Sequence, residues 1–239
     1  MLSDLGDLIG QRGEVLFRQH RESNHRRTDR LFAGLMLLQW VAAILAAYWL
    51  SPLTWTGRYS QTHVHVWAAW FLGGVITLFP VSLALVRPGR ASTRHTVAAG
   101  QMLMSALLIH LSGGRIETHF HVFGSLAFLA FYRDWTVFIP ATVLVAADHF
   151  FRGVYWPESV YGVLSAGSWR WLEHAGWVLF EDAFLINSCL QSLREMRDIA
   201  WQRAELQVAN ERTERTVVVR TAELQASEEP ERARASVSG

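Results

Sequence analysis

The 239-residue chain is 51% hydrophobic and only 18% charged, against about 25% charged for an average soluble domain, which places it among integral membrane proteins. Its 22 basic and 21 acidic residues leave a formal charge of +1, without the basic face that a nucleic-acid partner requires. A single cysteine, Cys189, excludes an internal disulfide framework.

In chain order, Met1 to Arg30 is charged and lacks a short apolar stretch ending in a small-residue cleavage site, so the first span is expected to be a retained anchor. Six apolar runs follow: Leu31 to Leu50, His65 to Val86, His95 to Leu111, Ile116 to Tyr132, Val137 to Phe151 and Trp171 to Leu190. Crossing a hydrocarbon core of about 30 Å takes about 20 helical residues, and the fold expected is an all-α membrane protein with six transmembrane helices. Arginines crowd the segment before the first run and the connection containing Arg87, Arg90 and Arg94. This puts both termini on the cytoplasmic side of the membrane. Trp49, Trp55, Trp67, Trp156, Trp169 and Trp171 fall near the expected outer ends, where amphipathic rings favour the headgroup layer. Pro80 is expected to kink the second span, whereas Pro140 sits in the first turn of the fifth. The glycines of Ser112-Gly113-Gly114-Arg115 allow a sharp reversal, and Arg133-Asp134-Trp135 leaves room only for a tight turn.

Histidines collect at one end of five of these runs: His63 and His65, His110, His119 and His121, His149, and His174. Imidazole is the commonest metal ligand, and ionisable groups at membrane depth normally face a bundle interior, a partner or a water-filled cavity. These seven are the expected metal ligands. Residues two apart on a helix point about 200° apart, so one member of each His-x-His pair should reach the site unless the other precedes regular helix. Glu117, Asp148, Glu173 and Glu181 are carboxylates positioned to orient imidazoles or move protons. Nitrogen and oxygen donors fit zinc, copper(II) or iron; haem held by His110 and His149 is the alternative cofactor. A hydrogen-bonded polar cap and a metal-free proton sensor are the competing readings. A membrane redox protein would instead show a chromophore or turnover, and a transporter should show internal repeats of spans. Desaturase-type histidine boxes, GxSxG, HExxH, P-loop and dinucleotide motifs are absent from the sequence.

Gln191 to Glu229 is charged, helix-favouring and free of glycine and proline. Met196, Ile199, Arg203, Leu206, Asn210, Thr213, Val217, Arg220 and Leu224 recur at alternating three- and four-residue steps. They are expected to form the partly polar seam of a parallel homodimer, a packing loose enough to switch. Pro230 to Gly239 is expected to be disordered. The domains are then a cytoplasmic segment 1–30, a membrane sensor domain 31–190, a signalling helix 191–229 and a tail 230–239.

The stretch Gly113-Gly114-Arg115-Ile116-Glu117-Thr118-His119-Phe120-His121-Val122-Phe123, with Phe131-Tyr132-Arg133-Asp134-Trp135 and Asp148-His149, resembles the multi-span N-terminal sensor modules found upstream of bacterial histidine kinases, diguanylate cyclases and chemoreceptors. Asn210-Glu211-Arg212-Thr213-Glu214-Arg215, Arg220-Thr221-Ala222-Glu223-Leu224 and Ser227-Glu228-Glu229 are similar to linkers that lead into PAS or kinase cores. The resemblance implies an input module acting on a downstream signalling domain, with no kinase or cyclase catalytic domain in this sequence. The ligand is not implied by it.

Overall fold

The computed structural model describes residues 2–237, and side chains over 5–226. Within them the chain is helical apart from one hairpin. The helices are α1 (Leu2–Leu50), α2 (Val64–Trp67), α3 (Gly73–Val86), α4 (Ala91–Leu111), α5 (Ile116–Leu129), α6 (Phe138–Tyr155), α7 (Pro157–Tyr161) and α8 (Arg170–Val237). The hairpin pairs β1 (Leu53–Thr56) with β2 (Tyr59–Thr62), antiparallel, around Gly57 at φ 63°. The side chains of the expected disordered tail, Pro230 to Gly239, lie outside the described residues.

The expected six-transmembrane-helix bundle is corrected to three helices, among the described residues, long and apolar enough to cross a membrane: Leu5–Leu50, Val64–Val86 and Trp135–Tyr155. The reasons are local. The helix α4 carries Arg94, His95, Gln101, Ser105 and His110 through its length. With 14 residues, α5 spans about 21 Å at about 1.5 Å per residue, short of a hydrocarbon core. Glu173, Glu181 and Asp182 enter the first turns of α8. Three crossings no longer require the two termini to share a side.

The chain divides into two compact units, residues 21–193 and residues 1–20 with 194–239. In the larger unit, Phe32, Met36, Ile109, Leu126, Leu129, Tyr132 and Phe138 form a buried core contributed by α1, α4, α5 and α6. One end of this unit is held by polar ties. Tyr132 stacks on Phe32 at 5.4 Å and donates its hydroxyl to Asp29, which also accepts from the Gly89 amide. Those two donors make a fully buried carboxylate tolerable. Arg94 pairs with Asp134 at 2.6 Å, and Asp134 caps the turn into α6 by accepting from the Thr136 amide. Between α2 and α3 the helix widens into a π turn over Ala68–Leu72. There Trp40 of α1 donates its indole N–H to the Ala69 carbonyl, its ring lying against Gly73 and Gly74. Pro80 is buried inside α3.

In the smaller unit, Met196, Ala200, Ala204 and Val208 are buried at four-residue spacing, one face of a helix. Trp201 lies over Gly13, where an added Cβ would come within 2.7 Å of the indole. Arg197 sits over the rings of Phe17 and Trp201, and Arg12 forms a two-pronged pair with Glu211. That contact holds the Glu211 carboxyl below the usual carboxylate range. Of the expected seam, Met196 is buried, whereas Ile199, Leu206, Val217 and Leu224 are exposed.

Candidate functional site

The site begins with a turn. Gly113 and Gly114 take φ of 69° and 74°, and the Gly114 amide bonds the Ile109 carbonyl at 2.9 Å, ending α4 and starting α5. A Cβ on Gly114 would lie 2.3 Å from the Gly162 nitrogen and 2.7 Å from the Val160 carbonyl. Glycine is therefore required for the α4–α5 turn to rest on the end of α7.

This arrangement brings three of the expected histidines together: His119 from α5, His149 from α6 and His174 from α8. Their ring centroids stand 5.6, 5.5 and 5.3 Å apart. Each ring is set by its own helix, with Nδ1 bonded to the carbonyl four residues back: Arg115 for His119, Val145 for His149 and Arg170 for His174. A carbonyl only accepts, so Nδ1 carries the proton and Nε2 keeps its lone pair. The Nε2 of His119 is buried without a hydrogen-bond partner. Burial pulls the His119 pKa down, favouring the neutral ring.

Among the rings lies a void of about 20 Å³, closed by Val122, Phe123, Val145 and Val178. It has room for a water or an ion and little more. Three imidazoles bound tetrahedrally at about 2.1 Å from Nε2 would have ring centroids about 5 Å apart, close to the spacing seen. The donor atoms are not gathered on one point. Among the described residues no three or more His, Cys, Asp or Glu side chains stand so that they could hold a metal ion.

Tyr161 stands beside the triad, its ring 5.2 Å from His174 and 6.4 Å from His149. Its hydroxyl is buried and unpartnered, and the Arg170 guanidinium covers its other side. It lies against Gly153, where a Cβ would meet the hydroxyl at 2.6 Å. Sequence reasoning passed over Tyr161. The signal was Gly153, one turn after His149, opposite a short Pro157-started helix.

A second group gathers His63, His65 and His110, with centroid separations of 4.2 Å between the first two and 4.8 Å between the last two. His63 precedes α2 and accepts the His65 amide on Nδ1; His110 packs against Trp156. Polar contacts link the two groups. His110 Nδ1 and the Arg152 guanidinium both meet the Ser159 hydroxyl, at 2.8 and 2.9 Å. Arg152 in turn holds Asp148, whose carboxylate is 3.5 Å from His149 Nδ1. His110 and His149, the haem pair expected from sequence, thus belong to different groups.

His121 belongs to neither. Gln39 donates to its Nε2 at 3.0 Å, so the proton sits on Nδ1, which meets Ser105 at 2.7 Å. Both ring nitrogens are engaged in a buried network with Gln39, Gln101 and Ser125. Of the four carboxylates, Asp148 alone touches a histidine. Glu117 and Glu173 are exposed, and Glu181 has a buried, unpartnered oxygen beside Asp182, which accepts from Thr142.

Over 87 residues, 36% of its length, the chain is 36% identical to "Transducer protein Htr8" of Halobacterium salinarum, of which it spans 13%. No protein-family profile matches the chain, and no solved structure matches it. The chain is therefore similar, in one stretch, to a small part of a transducer protein.

Proposed function

We propose that the chain is a membrane sensory input module of a bacterial signal-transduction system, holding a metal ion or metal-borne ligand at His119, His149 and His174. One observation carries this reading: three helices each present an imidazole with its Nδ1–H locked to a backbone carbonyl, and the three residues line one small void. The locked Nδ1–H fixes the tautomer and aims each ring, as outer hydrogen bonds do in metal sites. A bound ion would supply the positive charge that draws three lone pairs to one point. The residues themselves orient the rings and exclude water, and Asp148 reaches His149 from behind.

Similarity to a transducer protein and three membrane-capable helices support a signalling role at a membrane. Arginines crowd the end opposite the histidines, which favours a periplasmic histidine end. The output is a shift of α8, which carries His174 in its second turn and supplies residues 194 onward to the smaller unit. Exposed Ile199, Leu206 and Val217 of α8 are available to a second copy or a downstream signalling domain.

The test is elemental analysis and an optical spectrum of the detergent-purified chain, with the His119→Ala/His149→Ala variant beside it. Stoichiometric zinc, copper or iron in the wild type, lost in a variant that keeps its helicity, is expected. A Soret band would redirect the assignment to haem. No metal after chelator-free purification and reloading would reject the metal reading and leave a proton sensor or a polar cap.

A further inference from the structure

At the other end of the larger unit, α1, the end of α5 and α8 enclose a cavity of about 590 Å³ lined by Asn24, Arg27, Thr28, Arg133, Ser188 and Ser192 among apolar residues. Two arginines and no acidic residue line it. Neither Arg27 nor Arg133 makes a side-chain hydrogen bond or ion pair among the described residues, unlike Arg94, which is spent on Asp134. Backbone carbonyls that would compete for them are already taken: Asn24 donates to those of Phe131 and Tyr132, and Thr28 to that of Phe131. Arg133 occupies the left-handed region at φ 53°, where Gly or Asn is the ordinary choice and an arginine is costly. An arginine kept there at that cost, beside a second arginine and two serine hydroxyls, describes a receptor for a phosphate group.

The apolar part of the lining identifies the source. Leu31, Ala127, Ala130, Phe131 and Leu185 would lie along the first carbons of an acyl chain while the head meets the arginines. Basic pockets between membrane helices bind anionic headgroups in this manner. We propose that this cavity binds the phosphate headgroup of an anionic membrane lipid. Because Ser188, Cys189 and Ser192 of α8 form one wall, occupancy fixes the helix that also carries His174. The site is independent of the metal reading, sharing no side chain with it.

The experiment is native mass spectrometry and thermal unfolding of the full chain in neutral detergent, titrated with phosphatidylglycerol, phosphatidylcholine or inorganic phosphate. Wild type is expected to retain phosphatidylglycerol and to unfold several degrees higher with it, and phosphatidylcholine to do neither. Arg27→Gln/Arg133→Gln should weaken retention at least tenfold, and Arg27→Lys/Arg133→Lys should recover part of it, separating lost charge from lost fold. Removing two charges elsewhere, Arg87→Gln/Arg90→Gln, should leave retention unchanged. Equal loss in that control would show diffuse charge attraction and overturn the proposal, as would undiminished retention in Arg27→Gln/Arg133→Gln. Stabilisation by inorganic phosphate alone, without lipid retention, would overturn the lipid source and assign the cavity to a soluble phosphate.

Discussion

Asp134 shows how much depends on one side chain. Burial alone would raise its pKa, but hydrogen bonds from the Thr136 hydroxyl and amide and the Arg94 charge outweigh it, and the carboxyl titrates below its ordinary value. A carboxylate depressed on folding stabilises the fold above its unfolded pKa of about 3.9, and that contribution is lost as pH falls through the folded value. Melting temperature measured from about pH 5 down to 3 should therefore drop more steeply for wild type than for Asp134→Asn; parallel curves would remove the role given to the pair. The variant itself should be destabilised at neutral pH, because Arg94 is left half-buried without its partner. At this scale the sequence was partly legible. The motif containing Gly113, Gly114 and His119 pointed to the right turn, and spacing separated His119 from His121. It could not assign His121 to a glutamine pair, since Gln39 and Gln101 are 62 residues apart and meet only in three dimensions.

The scale of helices is where that pair acts. Gln39 from α1 and Gln101 from α4 exchange both amide hydrogen bonds, and Ser125 and His121 of α5 complete the network. Every member is satisfied, so the network holds three helices in one register, and a partial version would be worse than none. Gln101→Leu should cost about 1 to 3 kcal/mol for each group it strands, measured by urea unfolding in detergent. The double variant Gln39→Leu/Gln101→Leu should recover part of that loss; a double variant equal to the sum of the two single losses would show that the amides act independently. Helix positions were readable from apolar runs, but the number of crossings was not. An apolar run gives no account of how its interior polar residues are partnered: α4 buries Gln101 and Ser105 against neighbours, and α5 stops short at a 3-10 turn over Ala130–Tyr132. The β1–β2 hairpin was legible in principle, from Gly57-Arg58 between threonines and aromatics.

At the scale of the whole molecule, the chain divides into two compact units. The residues buried in the smaller unit, Met196, Ala200, Ala204 and Val208, follow a four-residue step and share only Met196 with the seam read from sequence. Small alanines signal close helix approach, yet a hydrophobicity count gives them little weight. Trp201→Ala should destabilise this unit by about 2 kcal/mol, below the 3 to 5 kcal/mol typical of a fully buried tryptophan. Hydrogen exchange should quicken over residues 5–20 and 194–226 and remain unchanged in α4; quickening throughout would show a single cooperative unit.

The carbonyl bonds behind His119, His149 and His174 give the triad a mechanical property. Each ring is fastened to its own helix, so the distance between rings measures the angular phase of the helices themselves. A side chain reaching about 5 Å from a helix axis travels about 2 Å when that helix turns by about 20°, ten times the tolerance of about 0.2 Å in a metal–nitrogen bond. An ion held by the proposed triad would thus act as a vernier on α8, bound at one rotation and released at the next, with no intermediate that keeps all three nitrogens on one point.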